Sequence, residues 1–589
     1  MTIAQPYADS NADTPFIREL YRERPTSLLL ALSFALSAAY VLFTVLPFDF
    51  VLGTGPFWNN PSFMWFDAPP VEPAVASDSS IVIVGYTSFQ RSPWGWPLLW
   101  APNIAAPGGT NIFWLDAVPW VSLLGKLIYT VTNQPVNLLG AFLFACLALP
   151  GVAMTGVLAA AGQRSLMAMT SATVIGGTVP YLWYRWGPFA LLAQCLIVFA
   201  LALYVAESNG GRDGRHARAW LGLLAITLLT NIYIFVMVGG IWAAAWIRRG
   251  VSGDATWGRL LGEFVATVGV LIGVMVITGI LSPELKSAGA AGFGYLSINL
   301  VGPFVPQLSG LFPGLASYRT GSNYEGFAYL GFGVLVLLML TGRAAVRWSA
   351  RHATEHWPLI GLLMGYLLFA LSHRIFLGSR LLVEIPLPET FVAMLGIFRS
   401  SGRFFWPVGY MLTAAGLVLL LRTYRPRVAA PVLGVICLLQ LIENQPLRHA
   451  LARSAATEGG NSTDRARVAA IVGRSRAVQV FPSWYCTELE IAAQRISYAQ
   501  RGALQSVDMD IQLAAALAGR PINSVYNARL TVDCAAEQRD RQAPLRPGTA
   551  YFYLTNDLPS AVQLGDHDRA TICGSTERVS YCLIPTTAP

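Results

Sequence analysis

Apolar stretches of about 20 residues recur along most of this 589-residue chain, and short segments that hold the arginines separate them. A helix of that length rises about 30 Å, which is the thickness of the hydrocarbon core of a bilayer. Only 12% of the residues are charged, whereas an average soluble domain has about 25%. The pattern excludes a soluble globular protein and predicts a helical membrane protein.

The apolar stretches predict about 11 membrane spans. The segment 219–247 has arginines at both ends and is predicted as two short helices that break near Thr230 and Asn231. The other spans are predicted at 27–47, 136–160, 165–183, 189–206, 260–282, 327–342, 357–372, 404–421 and 428–445. Because arginine-rich short loops face the cytoplasm, the clusters after 342 and after 421 are expected there, which puts the C-terminus outside.

We therefore predict a mainly α fold, a polytopic transmembrane bundle followed by an α/β domain. Residues 1–26 form a cytoplasmic tail, and 27–445 form the membrane domain with external loops at 49–118, 283–325 and 373–403. The segment 119–132 is too short for a span and is predicted as an interfacial helix. Residues 446–589 have the composition of a separate soluble domain, with predicted strands at 478–482, 522–530 and 550–554.

Four of the seven cysteines lie in the C-terminal domain, namely Cys486, Cys534, Cys573 and Cys582. An even number predicts two disulfides, with three pairings possible, and an oxidising compartment such as the bacterial periplasm. The expected location is thus the bacterial inner membrane, in several passes, with the C-terminal domain periplasmic.

Several classes of partner are not indicated. The net charge of +8 comes almost entirely from arginines, which we interpret as topology markers rather than as a nucleic-acid surface. The chain has no Walker A loop and no strand–GxGxxG–helix unit, so no nucleotide cofactor is expected. His352 and His356, four residues apart beside Glu355, could form a metal pair on a helix but lack a third obvious ligand, so no metal site is predicted.

Acids and tryptophans are concentrated in the first external loop. The acids are Asp49, Asp67, Glu72, Asp78 and Asp116, and the tryptophans include Trp94 and Trp96. Carboxylates accept hydrogen bonds from hydroxyl groups, and aromatic rings cover the apolar face of a sugar, so this loop is a candidate sugar site. The alternative is a belt of tryptophans at the membrane interface with solvated acids.

Arginines also occur in the external loop 373–403, against the positive-inside rule. They are Arg374, Arg380, Arg399 and Arg403. Arginines near the bilayer bind phosphate in a bidentate manner, and the alternative is pairing with Glu384, Glu389 or lipid headgroups. Glu325, at the mouth of the next span, is either an ion-pair partner for one of these arginines or a group that binds the acceptor.

Five segments carry a family resemblance: DSSIVIVGYTSFQRSPWGWPL (78–98), NIFWLDAVPWVSLLGK (111–126), GFGYLSINL (292–300), YEGFAYLGFG (324–333) and FRSSGRFFWPVGY (398–410). They resemble a bacterial membrane-protein family of mostly unassigned function. The architecture is similar to that of the GT-C superfamily of integral-membrane glycosyltransferases.

The resemblance implies transfer of a sugar from a polyprenyl-phosphate carrier to a glycan, lipid or protein acceptor at the outer face. Asp78 would be the general base and Asp116 the second acid, while Arg399 and Arg403 would bind the carrier phosphate, supported by Glu325. The remaining substrate-binding candidates on the matched segments are Trp94, Trp96, Asn299 and Tyr324. Superfamily members often have an acidic pair soon after the first span, where Asp49 stands here, so either Asp49 or Asp78 is the base.

Two other functional classes fit the same sequence. A flippase or transporter of a lipid-linked sugar would use the arginines and aromatic residues without bond-breaking chemistry. A scaffold of an envelope-assembly complex would need none of these residues for chemistry. The acids discriminate between the classes, because an enzyme should lose turnover in Asp78→Asn whereas a flippase should be little affected.

Overall fold

The computed structural model describes residues 15–59, 78–210, 214–281, 292–313, 315, 325–456, 463–492, 498–527, 532–554, 572–575 and 579–584. Asp67, Glu72 and Tyr324 lie outside this described part of the chain. Within it, long apolar helices predominate and a small mixed sheet follows them, so the predicted fold class is confirmed.

Helices make up most of the membrane domain, and two short antiparallel strand pairs lie in its loops. The helices are α1 Pro15–Tyr21, α2 Thr26–Thr44, α3 Phe48–Val51, α4 Pro56–Asn59, α5 Asp78–Arg91, α6 Pro119–Thr132, α7 Leu139–Ala160, α8 Leu166–Gly177, α9 Pro180–Trp183, α10 Cys195–Ser208, α11 Gly214–Leu228, α12 Ile232–Val251, α13 Trp257–Thr278, α14 Phe332–Leu371, α15 Glu389–Leu395, α16 Phe405–Thr423 and α17 Pro426–Glu443. The strand pairs are β1 Trp100–Ala101 with β2 Thr110–Asn111, and β3 Arg374–Leu377 with β4 Arg380–Glu384.

Eight helices of the described chain are long and apolar enough to cross a membrane, so this is a multi-pass membrane protein. They are α2, α7, α10 with the turn before it, α12, α13, α14, α16 and α17. The span predicted at 165–183 is shorter than expected, since α8 has 12 residues, whereas α11, with 15 residues, is the first of the two short helices predicted in 219–247. The 119–132 segment is helix α6, with Pro119 at the first position, where its missing N–H has no intrahelical partner to lose.

The predicted break near Thr230 and Asn231 is confirmed, because α11 ends at Leu228 and α12 begins at Ile232. The Asn231 side chain accepts a hydrogen bond from Tyr233 N at 2.9 Å and thereby caps α12. With 20 residues, α12 is a full-length span rather than the short helix that we predicted.

Helix α14 has 40 residues and would measure about 60 Å if it were straight. Its two ends are nevertheless held by the same loop. Ile298 N donates to Ala370 O near one end, and Leu330 N, just before the other end, donates to Pro303 O. Since the five Cα–Cα steps from Ile298 to Pro303 span at most about 18 Å, α14 must bend back on itself. The internal Pro358 is one cause, because it removes a helical hydrogen bond.

The two halves of α14 therefore correspond to the predicted spans 327–342 and 357–372. Both ends of α14 lie at one end of the bundle, where residues 292–313, 325–331 and 373–403 meet, and we call this the loop end. The middle of α14 lies at the opposite end, where His356 Nδ1 is 3.0 Å from Tyr204 OH. Counting α14 twice raises the eight candidate spans of the described chain to nine, and the shorter helices α8 and α11 lie at the positions of the other two predicted spans.

The C-terminal domain combines five helices with a four-stranded sheet. Its elements are α18 Gln445–Ala456, α19 Thr463–Gly473, β5 Ala477–Phe481, α20 Trp484–Ala492, α21 Tyr498–Ala518, α22 Cys534–Gln542, β6 Thr549–Tyr553, β7 Ile572–Ser575 and β8 Ser580–Leu583. The sheet order is β5-β6-β8-β7, with β5 parallel to β6 and the other pairs antiparallel. Both predicted disulfides are present, as Cys486–Cys534 and Cys573–Cys582.

This domain packs against the first external loop. Ile522 forms parallel bridges with Val478 of its own sheet and with Ile104 of the loop. Ile522 N donates to Asn103 O at 3.0 Å, and Ala106 N donates to Ile522 O at 2.9 Å. Ile104 and Ile522 are both fully buried, so apolar burial and main-chain pairing hold the two parts together. The predicted strand 522–530 is thus reduced to a single bridging residue in its described part.

Candidate active site

A buried ion triad lies at the loop end of the bundle. Glu325 Oε2 accepts hydrogen bonds from Arg403 Nε at 3.1 Å, Arg403 Nη2 at 2.7 Å and Arg185 Nη1 at 3.1 Å. The Arg185 side chain is fully buried, and that of Arg403 is 11% exposed. The ion-pair alternative for Glu325 is therefore confirmed, with two arginines rather than one.

The loops that carry this triad approach each other closely. A Cβ atom on Gly402 would lie 2.8 Å from Gly326 Cα and 3.2 Å from Ile298 N, so only glycine fits between these backbones. Gly402 precedes Arg403 and Gly326 follows Glu325. The contact of the two glycines thus brings the carboxylate and the guanidinium within hydrogen-bonding distance.

Arg185 is a functional candidate that the sequence analysis missed. It lies in the irregular segment between α9 and Phe189, and its guanidinium carbon is 5.8 Å from the centre of the Trp406 ring. The signal was present, because an arginine inside the apolar stretch YLWYRWGPF is costly unless it is paired or used.

The arginines keep Glu325 ionised. Burial raises the pKa of Glu325, but Arg403 and Arg185 outweigh that effect and lower it to about 2. Glu325 is therefore a permanent anion at neutral pH that neutralises part of the positive charge of the arginines.

Asp78 begins helix α5 and is half-buried beside the triad. Its Oδ1 accepts a hydrogen bond from Tyr526 OH at 3.3 Å. Desolvation and the charge of Glu325 raise the pKa of Asp78, while Arg403, Arg399 and the bond from Tyr526 oppose the increase. A carboxylate with a raised pKa is suited to accept a proton near neutral pH.

Asp116 approaches the triad from a strained turn. Its φ angle is 51°, and two residues later Val118 has φ 47°, a conformation that a β-branched residue rarely adopts. The exposed Asp116 carboxylate accepts a hydrogen bond from Asn231 Nδ2 at 3.2 Å and lies within electrostatic range of Arg403. Arg403 in turn stacks over the Tyr233 ring at 4.6 Å, so the α11–α12 break contacts both charged groups.

Arg399 is the exposed cation at this place. Among the described residues, no hydrogen bond or ion pair engages its side chain, yet it lies within electrostatic range of Asp78 and Glu325. The next two residues, Ser400 and Ser401, are buried, and in the described chain their hydroxyl groups have no hydrogen-bond partner. Asp78, Arg185, Glu325, Arg399 and Arg403 together form what we call the acid–arginine cluster.

Three of the predicted substrate-binding residues do not join this cluster. Trp94 and Trp96 follow the far end of α5, which is about 20 Å from Asp78, and the Trp94 indole donates to Thr130 of α6. Asn299 is buried, and its amide both donates to Gly378 O at 2.7 Å and accepts from Gly378 N at 2.9 Å. Asn299 thus fastens the 292–313 loop to the β3–β4 turn.

Arg374 and Asp49 also stand apart from the cluster. Arg374 pairs with the exposed Glu384 at 3.0 Å across the β3–β4 hairpin, as one of the alternatives anticipated. Asp49 Oδ1 accepts a hydrogen bond from Phe50 N in the turn after the first span. In the described part of the chain, no group of three or more His, Cys, Asp or Glu residues lies close enough to hold a metal ion.

The sequence profile of a domain family of unknown function, DUF6311, matches residues 41–445, and the profile of the DUF6311 C-terminal domain matches residues 467–583. No curated protein sequence matches the chain.

Solved structures of the oligosaccharyltransferase of Archaeoglobus fulgidus are similar to this chain. The apo crystal structure has a TM-score of 0.41 at 13% identity and covers 85% of this chain and 64% of its own. The structure of AglB from the same organism, in complex with an inhibitory peptide and a dolichol-phosphate, has a TM-score of 0.39 at 12% identity. It covers 90% of this chain and 69% of its own. The chain thus spans 64% of the length of the first of these proteins.

Proposed function

The chain belongs to the DUF6311 family, and from its acid–arginine cluster we propose that it is a membrane glycosyltransferase. The donor is a sugar linked to a polyprenyl phosphate, and the acceptor is a glycan, lipid or protein at the periplasmic face of the bacterial inner membrane. Asp78 is the general base, Asp116 orients a substrate hydroxyl group, and Arg399 and Arg403 bind the donor phosphate.

The observation that carries the proposal is a half-buried carboxylate, Asp78, next to three arginines at the loop end of a membrane bundle. Two of the arginines, Arg185 and Arg403, pair with Glu325, and the third, Arg399, is exposed beside them. The exposed Arg399 side chain is available to an anion, and a lipid phosphate is the anion that reaches this depth at the bilayer surface.

The chemistry follows from these positions. An acceptor hydroxyl oxygen attacks C1 of the donor sugar, the bond from C1 to the phosphate oxygen breaks, and the lipid phosphate leaves with the bonding electrons. Asp78 takes the hydroxyl proton, and the arginines stabilise the negative charge that develops on the phosphate. Attack opposite the leaving group inverts the configuration at C1.

The test compares native membranes of wild type, Asp78→Asn and the control Asp49→Asn by mass spectrometry of polyprenyl-phosphate sugars and of envelope glycans and glycoproteins. Asp78→Asn should slow transfer by about 100-fold or more, so that one lipid-linked sugar accumulates and one glycan loses that residue. Asp49→Asn should match wild type, because Asp49 serves a turn outside the cluster.

Two outcomes would contradict the proposal. If Asp49→Asn rather than Asp78→Asn blocks transfer, the base has been misidentified. If neither substitution changes the profiles while deletion of the protein does, no carboxylate of this loop is needed, and a flippase that breaks no bond explains the protein better.

A further inference from the structure

The C-terminal domain contributes a side chain to the acid–arginine cluster. Tyr526 OH donates to Asp78 Oδ1 at 3.3 Å, although 448 residues separate the two in sequence. The first-loop contacts of Ile522 lie four residues before Tyr526, and Asn527, next to it, donates to Thr110 Oγ1 of the loop at 3.3 Å. Anchors on both sides of Tyr526 therefore fix it against the membrane domain.

The Tyr526 ring is held from behind by its own domain. It stacks on the Trp484 ring, with centres 4.5 Å apart and planes 28° apart. Its backbone N donates to Gln512 Oε1 of α21 at 3.3 Å. A ring that is stacked and tethered in this way loses little further freedom when its hydroxyl binds a carboxylate.

A buried hydrogen-bond chain fixes Trp484 in turn. Trp484 N donates to Ser524 Oγ at 2.9 Å, and the Ser524 hydroxyl donates to Asp508 Oδ2 at 2.7 Å. Asp508, Ser524 and Trp484 are all buried, and the Cys486–Cys534 disulfide lies two residues after Trp484. The contact to Asp78 thus rests on an ordered layer of the C-terminal domain rather than on a lone surface side chain.

We propose that Tyr526 is a positioning residue for Asp78, so that the membrane domain has a complete active site only with the C-terminal domain docked on α5 and the first loop. This inference rests on the proposed function. The hydroxyl fixes one carboxylate oxygen and leaves the other for the acceptor proton, and it stabilises the ionised form that a base requires.

In the described part of the chain, the charged and titratable groups that act on Asp78 are Glu325, Arg403, Arg399 and Tyr526. The Tyr526 hydrogen bond lowers the pKa of Asp78, so its loss must raise it. Because the carboxylate form is the active base, the acidic limb of the pH–rate profile should move to higher pH in Tyr526→Phe. On that limb the rate should fall roughly tenfold, and a smaller loss should remain at high pH, because the ionised carboxylate is no longer held in place.

The experiment measures pH–rate profiles of the full chain for wild type, Tyr526→Phe and Tyr551→Phe. Tyr551 is the matched control, because its hydroxyl accepts a hydrogen bond from Arg546 N within the same domain, away from Asp78. Its acidic limb should coincide with that of wild type. An unmoved limb in Tyr526→Phe, in a setting where Asp78→Asn abolishes transfer, overturns this inference and leaves the proposed function standing.

A second measurement does not depend on turnover. The infrared carbonyl band of protonated Asp78 is identified as the band that Asp78→Asn lacks, and its pH midpoint is followed in each variant. An upward shift of the midpoint in Tyr526→Phe supports the positioning contact even if transfer is not the activity. An unchanged midpoint refutes it.

Discussion

Removing the charge of Glu325 should destabilise the protein, because two buried guanidinium groups depend on it. In Glu325→Gln, Arg185 and Arg403 lose a carboxylate oxygen that accepts three hydrogen bonds at 2.7 to 3.1 Å. The glutamine amide keeps the size of the side chain but carries no charge. The substitution therefore isolates electrostatics from packing.

The magnitude follows from two independent routes. The arginines lower the pKa of Glu325 from 4.5 to about 2, which corresponds to about 3 kcal/mol of stabilisation. Breaking a buried ion pair by removing one partner costs about 3–5 kcal/mol in general, because a buried charge is left uncompensated. We therefore expect Glu325→Gln to lower the free energy of unfolding by about 3–5 kcal/mol.

The assay is chemical denaturation of the detergent-solubilised protein, with Glu384→Gln as the matched control. Glu384 pairs with Arg374 at 3.0 Å at the same end of the bundle, but its side chain is 52% exposed, so its loss should cost at most about 1 kcal/mol. Equal losses in the two variants would refute the reasoning, because burial would then have no effect on the strength of the pair.

The pH dependence of the stability tests whether Glu325 stabilises the protein in its ionised form. The pKa of Glu325 is lower in the folded protein than its ordinary value of 4.5, so its contribution is fully present above pH 4.5. It should be lost as the pH falls from 4.5 through about 2. Glu325→Gln should lack this part of the acid destabilisation, and its difference from wild type should shrink across that interval.

Three further predictions concern the packing and the C-terminal domain. A Cβ on Gly310 would lie 1.9 Å from a backbone carbonyl oxygen of α17, so Gly310→Ala should lower the free energy of unfolding by about 1–3 kcal/mol. A Cβ on Gly434 would have no described atom within 4 Å, so Gly434→Ala should not destabilise the protein. Thermal melts of the two variants test this difference. The Cys486–Cys534 disulfide closes a 48-residue loop, so its loss should lower the stability of the C-terminal domain by about 4 kcal/mol. The protease resistance of that domain should fall accordingly. Burial raises the pKa of Asp508 from 3.8 to about 7, so the stability of the protein should fall as the pH rises through that interval. In Asp508→Asn this decrease should be absent, which thermal melts at a series of pH values would show.

Features that depend on local sequence were predictable. The amphipathic segment with Pro119 at its start has the helix bounds that we predicted, Pro119–Thr132, because a proline at the first position and the length of the apolar stretch fix both ends. The break before α12 was predicted from the arginines at both ends of 219–247, and Asn231, a favoured N-cap residue, lies at that break. The even cysteine count indicated two disulfides, but their pairing depended on which helices meet.

Features that depend on distant contacts were not predictable. The two arginines on Glu325 come from positions 140 residues before it and 78 residues after it, and no local pattern links the three. The docking of the C-terminal domain depends on contacts between distant residues, such as the bridge of Ile522 to Ile104 and the hydrogen bond of Asn527 to Thr110, 417 residues away in sequence. The pattern of 522–530 predicts a strand, but alternation of apolar residues does not reveal which neighbour a strand will have.

The charged residues of the acid–arginine cluster lie outside the regular parts of the membrane-spanning helices. Each of its charged residues stands on irregular backbone or at a helix end: Asp78 starts α5, Glu325 precedes α14, Arg399 and Arg403 precede α16, and Arg185 lies between α9 and the next turn. Backbone that is not helical leaves polar groups unpaired, and at membrane depth it persists only where protein encloses it. The same enclosure allows a buried carboxylate and two arginines to pair out of water. In a polytopic chain, a charged residue on irregular backbone between two apolar stretches is therefore a candidate for chemistry, and Arg185 is the residue on which that rule would have improved our prediction.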